Sequence, residues 1–283
     1  IAVVEVGLGG RLDATNVGGK DLRAAVISRV AQDHASFLGR DLGAIAREKG
    51  AIARAGRPLV LGPQRPEARE ALVALARDVG AELVDVETET SLIPTPQGLA
   101  YRGPRWELQG IRLGLLGPHQ IENARLALAT LERMDVAPEA ARQGLAEARW
   151  PGRLQVVSEA PLTVVDGAHN PDAAAALAAA WRELWPDRRP HLVFGALGDK
   201  DWPPMLGSLL PLAETVHLCP PVSDRAVPPE RLLEKAPGAF VHPNAGEAIE
   251  TATRLAGRGG AVLVAGSLYL VGEALALFGW EVA

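Results

Sequence analysis

Residues 3–16 read VVEVGLGGRLDATN, a run of valines broken by one acid and followed by a glycine-rich turn. The valines suit a buried strand of a parallel sheet, and a glycine turn straight after such a strand is where α/β proteins often meet phosphate. A dinucleotide-binding fingerprint would place glycines at Gly7, Gly9 and position 12, but Leu12 fills the last place, where close helix–strand packing wants Gly or Ala. Glu5 is the second departure. A carboxylate among Val3, Val4 and Val6 near a buried strand end loses its water and needs a compensating cation, either a metal ion or Arg11.

The rest of the chain sets the frame for this stretch. Its 283 residues suffice for two domains with proper cores, and 48% hydrophobic with 22% charged residues is the balance of a globular protein. A net charge of -5 supplies no overall basic field for nucleic acid or an anionic membrane, so neither is expected as a partner. Cys219 is the only cysteine, which rules out an intrachain disulfide and fits a reducing cytoplasm. No apolar run reaches the roughly 20 residues a membrane span needs, and no secretory signal is evident. The chain opens on Ile1 inside an expected strand, with no Met before it, and the expectation is that an N-terminal segment is missing.

Apolar runs alternate with Ala- and Leu-rich stretches at helical spacing, which predicts α/β layers. IAVVEV, AAVISRV (24–30) and PLVLG (58–62) read as strands; 42–55, 67–80, 120–134 and 138–148 read as helices. The turn-rich stretch 82–116 reads as irregular or as a β excursion. RWPGR (149–153) interrupts the helical pattern with Pro and Gly and predicts a boundary, giving domains 1–148 and 149–283. Beyond it LQVVSEA, LTVVDGA, HLVFGAL, TVHLCPP and AVLVAGS predict a parallel sheet flanked by helices.

Ligands of parallel α/β sheets sit beyond the carboxyl ends of the strands. Polar clusters fall there repeatedly: Glu5; Gln32, Asp33 and His34; DGAHN (166–170); GDKD (198–201); and Ser267. Each alone has a bland reading: a buried acid paired with Arg11, a capped surface histidine, an Asx turn or a helix cap. Several on one expected rim point to a site.

VVEVGLGGRLDATN, the DH at 33–34 followed by LGRDLGAIAREKGAI, HQIENA (119–124), PGR (151–153), DGAHNP (166–171) and GALGDKD occur in an order that resembles the folylpolyglutamate synthase/dihydrofolate synthase family of the Mur ligase superfamily. GLGGRLDATN points to the folate branch. The resemblance covers essentially the whole chain. It implies part of a P-loop-type central ATPase domain over 1–148 and a Rossmann-like C-terminal α/β domain over 149–283.

Such ligases phosphorylate a carboxylate with ATP, and the amine of L-glutamate then attacks the acyl phosphate. Cations are needed around the transferred phosphoryl group. The resemblance therefore implies ATP and Mg2+, with dihydropteroate or a folate and L-glutamate as the small-molecule substrates. It assigns Glu5 and His34 as metal ligands, although a hard cation ordinarily prefers oxygen to imidazole. It assigns Lys49 as a carbamate, an oxygen anion that helps to hold metal and makes the residue catalytic. Asn123, Arg153, Asp166 and His169 match nucleotide contacts, with Arg153 catalytic at the γ-phosphate and Asp166 on the ribose. Lys200 and Ser267 match positions that hold the incoming glutamate. The site is expected in a cleft between the two domains.

The glycine-rich P-loop of the family does not occur in the sequence; Lys20 and Lys200 lack the spaced glycine and following Ser or Thr. The chain as given is accordingly expected to be an inactive fragment of a ligase. VGGKDLRAA after Asn16 is longer and more polar than the family pattern. The rival readings are a Mur-type cell-wall precursor ligase and a non-catalytic remnant that binds a nucleotide or a protein.

Overall fold

The computed structural model describes residues 1–17, 19–30 and 41–280. The chain forms two compact units, one of residues 1–114 and 119–148, the other of 115–118 and 149–283.

In the first unit β1 (Ala25–Ile27), β2 (Pro58–Leu61) and β3 (Glu82–Asp85) form a parallel sheet in sequence order. Helix α1 (Leu42–Gly50) starts where the Asp41 carboxylate accepts the Gly43 N–H at 2.8 Å. Helix α2 (Pro66–Val79) starts on a proline that needs no N–H partner there, and buries Ala68, Ala71, Leu72 and Ala76, one face at helical spacing. Leu59 and Leu61 of β2 join both helices in one core. Val60 between them points the other way, against Leu126 and Ala129 of α4 (His119–Arg133). That period of two is what a strand covered on both faces requires.

A four-residue helix α3 (Val86–Glu89) leads into an antiparallel meander, β4 (Ser91–Thr95), β5 (Gly98–Arg102) and β6 (Glu107–Ile111). The stretch 82–116 is thus ordered β structure and not irregular chain. The buried Glu132 of α4 ties it down, accepting from Tyr101 Oη at 2.9 Å and from the N–H groups of Arg105 and Trp106 at 2.6 Å each. Helix α5 (Pro138–Glu147) completes the unit.

Two sequence expectations fail here. Residues 1–6 are not a strand: they pair with none of the described strands, and Ile1, Val3 and Val4 are exposed. An apolar run without a ladder partner leaves its backbone groups to water and gains nothing from extension. Glu5 is consequently exposed, not desolvated. The first helix also stops at Gly50, short of residue 55.

The second unit is a six-stranded sheet of order β11-β10-β9-β12-β8-β7. Its strands are β7 (Gln155–Glu159), β8 (Leu162–Asp166), β9 (Pro190–Phe194), β10 (Thr215–Leu218), β11 (Phe240–Val241) and β12 (Ala261–Ala265). All pairs are parallel except β7–β8, which is antiparallel and corrects the expectation of a wholly parallel sheet. Apolar periodicity reports burial, not strand direction, and the two-residue link from Glu159 to Leu162 permits only a hairpin. Val164, Leu192, Phe194 and Leu263 pack under α6 (Pro171–Leu184) and α7 (Trp202–Leu209). After the short helix α8 (Pro229–Leu233), α9 (Ala245–Ala256) and α10 (Leu268–Leu277) cover the opposite face over Val165, Val193, Val262 and Val264. This three-layer arrangement leaves the carboxyl ends of β8, β12 and β9 side by side as a rim.

Candidate functional site

In the first unit the glycine-rich turn is held by the chain's own acid. Asp13 Oδ2 accepts the N–H groups of Gly7 at 3.1 Å and Leu8 at 2.9 Å, while Oδ1 accepts from the Thr15 N–H and hydroxyl. These donors, the Thr15 hydroxyl first, bring the Asp13 carboxyl down to about 2. Asn16 donates to the Arg11 carbonyl and accepts from Arg54. The turn so tied lies on the last turn of α1: Arg11 N–H donates to the Glu48 carbonyl at 3.2 Å, and its guanidinium pairs with the Glu48 carboxylate at 3.1 Å. Gly10 is forced by that approach, since a Cβ there would lie 2.6 Å from the Glu48 carbonyl oxygen and 2.8 Å from that of Lys49. Arg11 therefore serves Glu48 and not Glu5. Lys49 is half-buried in the same helical turn. His34, with Gln32 and Asp33, lies outside the described residues.

Among the described residues no three His, Cys, Asp or Glu side chains converge as a cation cage. Glu5 offers oxygen and Lys49 an amine, so these residues fit a divalent ion only alongside oxygens from a nucleotide or a carbamate. Asn123 is exposed on the first turns of α4 and donates to Gln120 Oε1 at 3.1 Å.

In the second unit two sequence-distant motifs meet on one carboxylate. Asp166, the last residue of β8 and almost fully buried, accepts the Leu154 N–H at 2.8 Å on Oδ2 and the Ala168 N–H at 2.9 Å on Oδ1. The Gly167 N–H donates to the Gly152 carbonyl at 2.7 Å. The PGR turn and the DGAHN loop are thereby one structure, with Arg153 exposed on it. His169 Nδ1 lies 2.8 Å from the Gly167 carbonyl, which can only accept, so Nδ1 carries a proton in that bond. Asn170 caps α6 through the Ala173 N–H at 2.8 Å.

Next to this loop His169, Leu197, Asp199, Lys200, Arg225, Gly266, Ser267, Leu268 and Tyr269 line a cavity of about 200 Å³. Lys200 Nζ stands 3.7 Å from Asp199. Arg225 lies 3.4 Å from Asp199 and donates to Tyr269 Oη at 3.3 Å. Ser267 Oγ accepts the Tyr269 N–H at 3.1 Å as the N-cap of α10, the bland reading its sequence position allows. Cations flanking a buried hydroxyl suit a small anionic ligand. His169, Lys200 and Ser267 thus share one cavity, and Arg153 and Asp166 share one turn. Sequence reasoning missed Asp13, Arg225, Tyr269 and Gln155, whose Oε1 accepts the Gly152 N–H at 2.8 Å. Of these only Asp13 carried a signal, as the Asx residue inside the quoted stretch.

A family model described as Mur ligase, glutamate ligase domain matches residues 152–268, the span that begins at the PGR turn and ends at the N-terminus of α10. The matched span lies within the second unit. Over 97% of its length the chain is 34% identical to a dihydrofolate synthase/folylpolyglutamate synthase of Escherichia coli, of which it spans 64%. It superposes with a TM-score of 0.89 and 34% identity on Mycobacterium tuberculosis folylpolyglutamate synthase complexed with ADP, covering 100% of this chain and 68% of that one. A Yersinia pestis bifunctional folylpolyglutamate synthase/dihydrofolate synthase with Mn, AMPPNP and L-glutamate bound gives 0.82 at 33% identity, over 97% and 66%. The chain belongs to the folylpolyglutamate synthase/dihydrofolate synthase family. It spans about two thirds of the length of these relatives.

Proposed function

We propose that the protein to which this chain contributes is an ATP-dependent ligase that adds L-glutamate to dihydropteroate, to a folate, or to both, through an acyl phosphate. The observation that carries this reading is the joining of the PGR turn to the DGAHN loop through Asp166, which sets an exposed guanidinium beside the loop that carries His169, on a strand-end rim. Support also comes from the nucleotides and L-glutamate named in the solved relatives.

Arg153 binds the γ-phosphate of ATP and gains most as charge spreads over it during transfer to the substrate carboxylate. Asp166 and His169 orient the nucleotide, with Asn123 as a further contact. In the second unit's cavity Lys200 and Arg225 draw the carboxylates of glutamate, and Ser267 fixes the floor. Glu5, His34 and a carbamate on Lys49 are assigned to Mg2+. The metal, when bound, neutralises phosphate charge. The 283 residues by themselves are inferred not to turn over, because no GxxxxGK[ST] segment in them can cradle the phosphates. The cytoplasm, where a reduced Cys219 is at home, is the proposed compartment.

The test is Arg153→Ala in the complete gene product. Its kcat should fall on the order of a hundredfold while the Kd for ATP changes by a few fold. An unchanged kcat, or an effect on Kd alone, contradicts the role given to Arg153. A non-catalytic nucleotide-binding protein would show no folate- or dihydropteroate-dependent ADP release in the parent either.

A further inference from the structure

We propose that Gln155 is a positioning residue for Arg153, acting through the backbone of the turn and not on any substrate. The inference rests on the reading of Arg153 given under Proposed function. Arg153 sits between two residues with left-handed backbone, Gly152 at φ 73° and Leu154 at φ 42°. Leucine rarely adopts that conformation, and such a residue persists only where its surroundings over-determine it. The surroundings here are visible. Leu154 is pinned by burial of its side chain at 2% exposure and by its N–H on Asp166. The Arg153 N–H reaches the Trp150 carbonyl at 3.3 Å. The Gly152 N–H is taken by Gln155 Oε1 at 2.8 Å, and Gly152 is pressed so closely on Val271 that a Cβ would lie 2.7 Å from its Cγ1.

Each backbone donor of residues 152–154 therefore has its own acceptor, and only two of the three acceptors are side chains. Asp166 also holds Ala168 and is assigned to the nucleotide, so its loss would mix two effects. Gln155 has the single duty. It is the first residue of β7, paired with Val165, and nothing in strand pairing asks for an amide there. Its side chain turns back to close the loop that presents the guanidinium. Removing its oxygen leaves the Gly152 N–H without that acceptor and lets the turn sample geometries that aim Arg153 elsewhere.

The test compares Gln155→Glu, which keeps an acceptor oxygen at the same reach, with Gln155→Leu and Gln155→Ala, which have none. In the 283-residue chain, trypsin cutting at the Arg153–Leu154 bond, identified by mass spectrometry, should quicken about fivefold or more with Gln155→Leu or Gln155→Ala, in chains whose Tm stays within a few degrees of the parent, and stay near parental with Gln155→Glu. In the complete gene product Gln155→Leu should lower kcat about tenfold with little change in KM for ATP, and Gln155→Glu should restore it. Combined with Arg153→Ala it should lower kcat no further. Parental cutting and parental kcat in the acceptor-less variants, or a further loss in the double variant, overturn the proposal. If Arg153→Ala itself leaves kcat unchanged, the reading of Arg153 falls and takes this one with it. If Arg153→Ala lowers kcat while Gln155→Leu changes neither cutting nor rate, only the inference falls.

Discussion

Asp13 does at residues 7–15 what a bound phosphate does at the glycine-rich turns of nucleotide-binding proteins: it gathers backbone N–H groups, those of Gly7, Leu8 and Thr15. The glycines serve the protein's own fold at this point, letting the chain turn and lie against Glu48 and Lys49. Because these donors hold the Asp13 carboxyl near 2, below its ordinary 3.8, the clamp is fully formed above that ordinary value and is lost as pH falls toward 2. Asp13→Ala should speed amide exchange at Leu8 and Thr15 by about tenfold near neutrality. Unchanged exchange would show that the glycines alone fix the turn. Glu132 is a buried counterpart with three donors, and the Tyr101 hydroxyl is pushed far up by burial beside it. Glu132→Ala should cost about 3 kcal/mol in urea unfolding, since two backbone N–H groups and a phenol lose their acceptor; a loss well under about 1 kcal/mol would mean that water replaces it. Lys49→Ala in the complete gene product should abolish most activity, with partial return in acetate if a carbamate is the missing ligand. Near-parental activity removes the catalytic role.

Among the elements, helices were legible where their ends are written in side chains: Pro66, Pro138, Asn170 and Ser267 each stand at a helix start. Strand direction was not, so β7 came out antiparallel, and the valines of residues 1–6 promised a strand that has no described neighbour to pair with. The rim of the second unit was readable from the strand-end rule, which found Asp166, His169, Lys200 and Ser267. Arg225 lies well past the end of β10, and Tyr269 stands inside α10 where it reads as a helix residue, so neither was picked out by that rule; the Gln155 and Asp166 bonds join residues whose separation no periodicity encodes. Strands β9 to β11 hold another polar chain that no motif announced: His191 Nδ1 to Thr215 Oγ1 at 2.7 Å, Thr215 to His217 Nε2 at 2.9 Å, and His217 Nδ1 to His242 Nε2 at 3.0 Å. Burial, then the neighbouring histidines, bring His217 down to about 4; burial also lowers His191 and His242, opposed by Glu214 and Glu247 respectively. A histidine kept neutral in the folded state costs stability once the unfolded chain takes up a proton. Stability should therefore hold above about pH 6.5 and fall as pH drops toward 4. The urea midpoint of the parent should drop more between pH 7 and pH 5 than that of His217→Gln, which does not titrate. Equal drops would place the pH dependence elsewhere.

For the whole molecule, family membership rests on motifs spread from residue 3 to residue 201 and on superposition over the full chain. Substrate identity is a finer matter, because the fold alone supports many ligations. No helix among the described residues is long and apolar enough to cross a membrane. The ligase proposed above joins glutamate to a pterin-bearing acid at the expense of ATP. The direct measurement is mass spectrometry of the product after incubation with ATP, Mg2+, L-glutamate and either dihydropteroate or tetrahydrofolate. The expected result is a product heavier by one glutamyl residue from at least one of the two acids, formed together with ADP and phosphate and absent when ATP is omitted. An enzyme that binds ATP but glutamylates neither acid, while joining an amino acid to a cell-wall precursor, would contradict it.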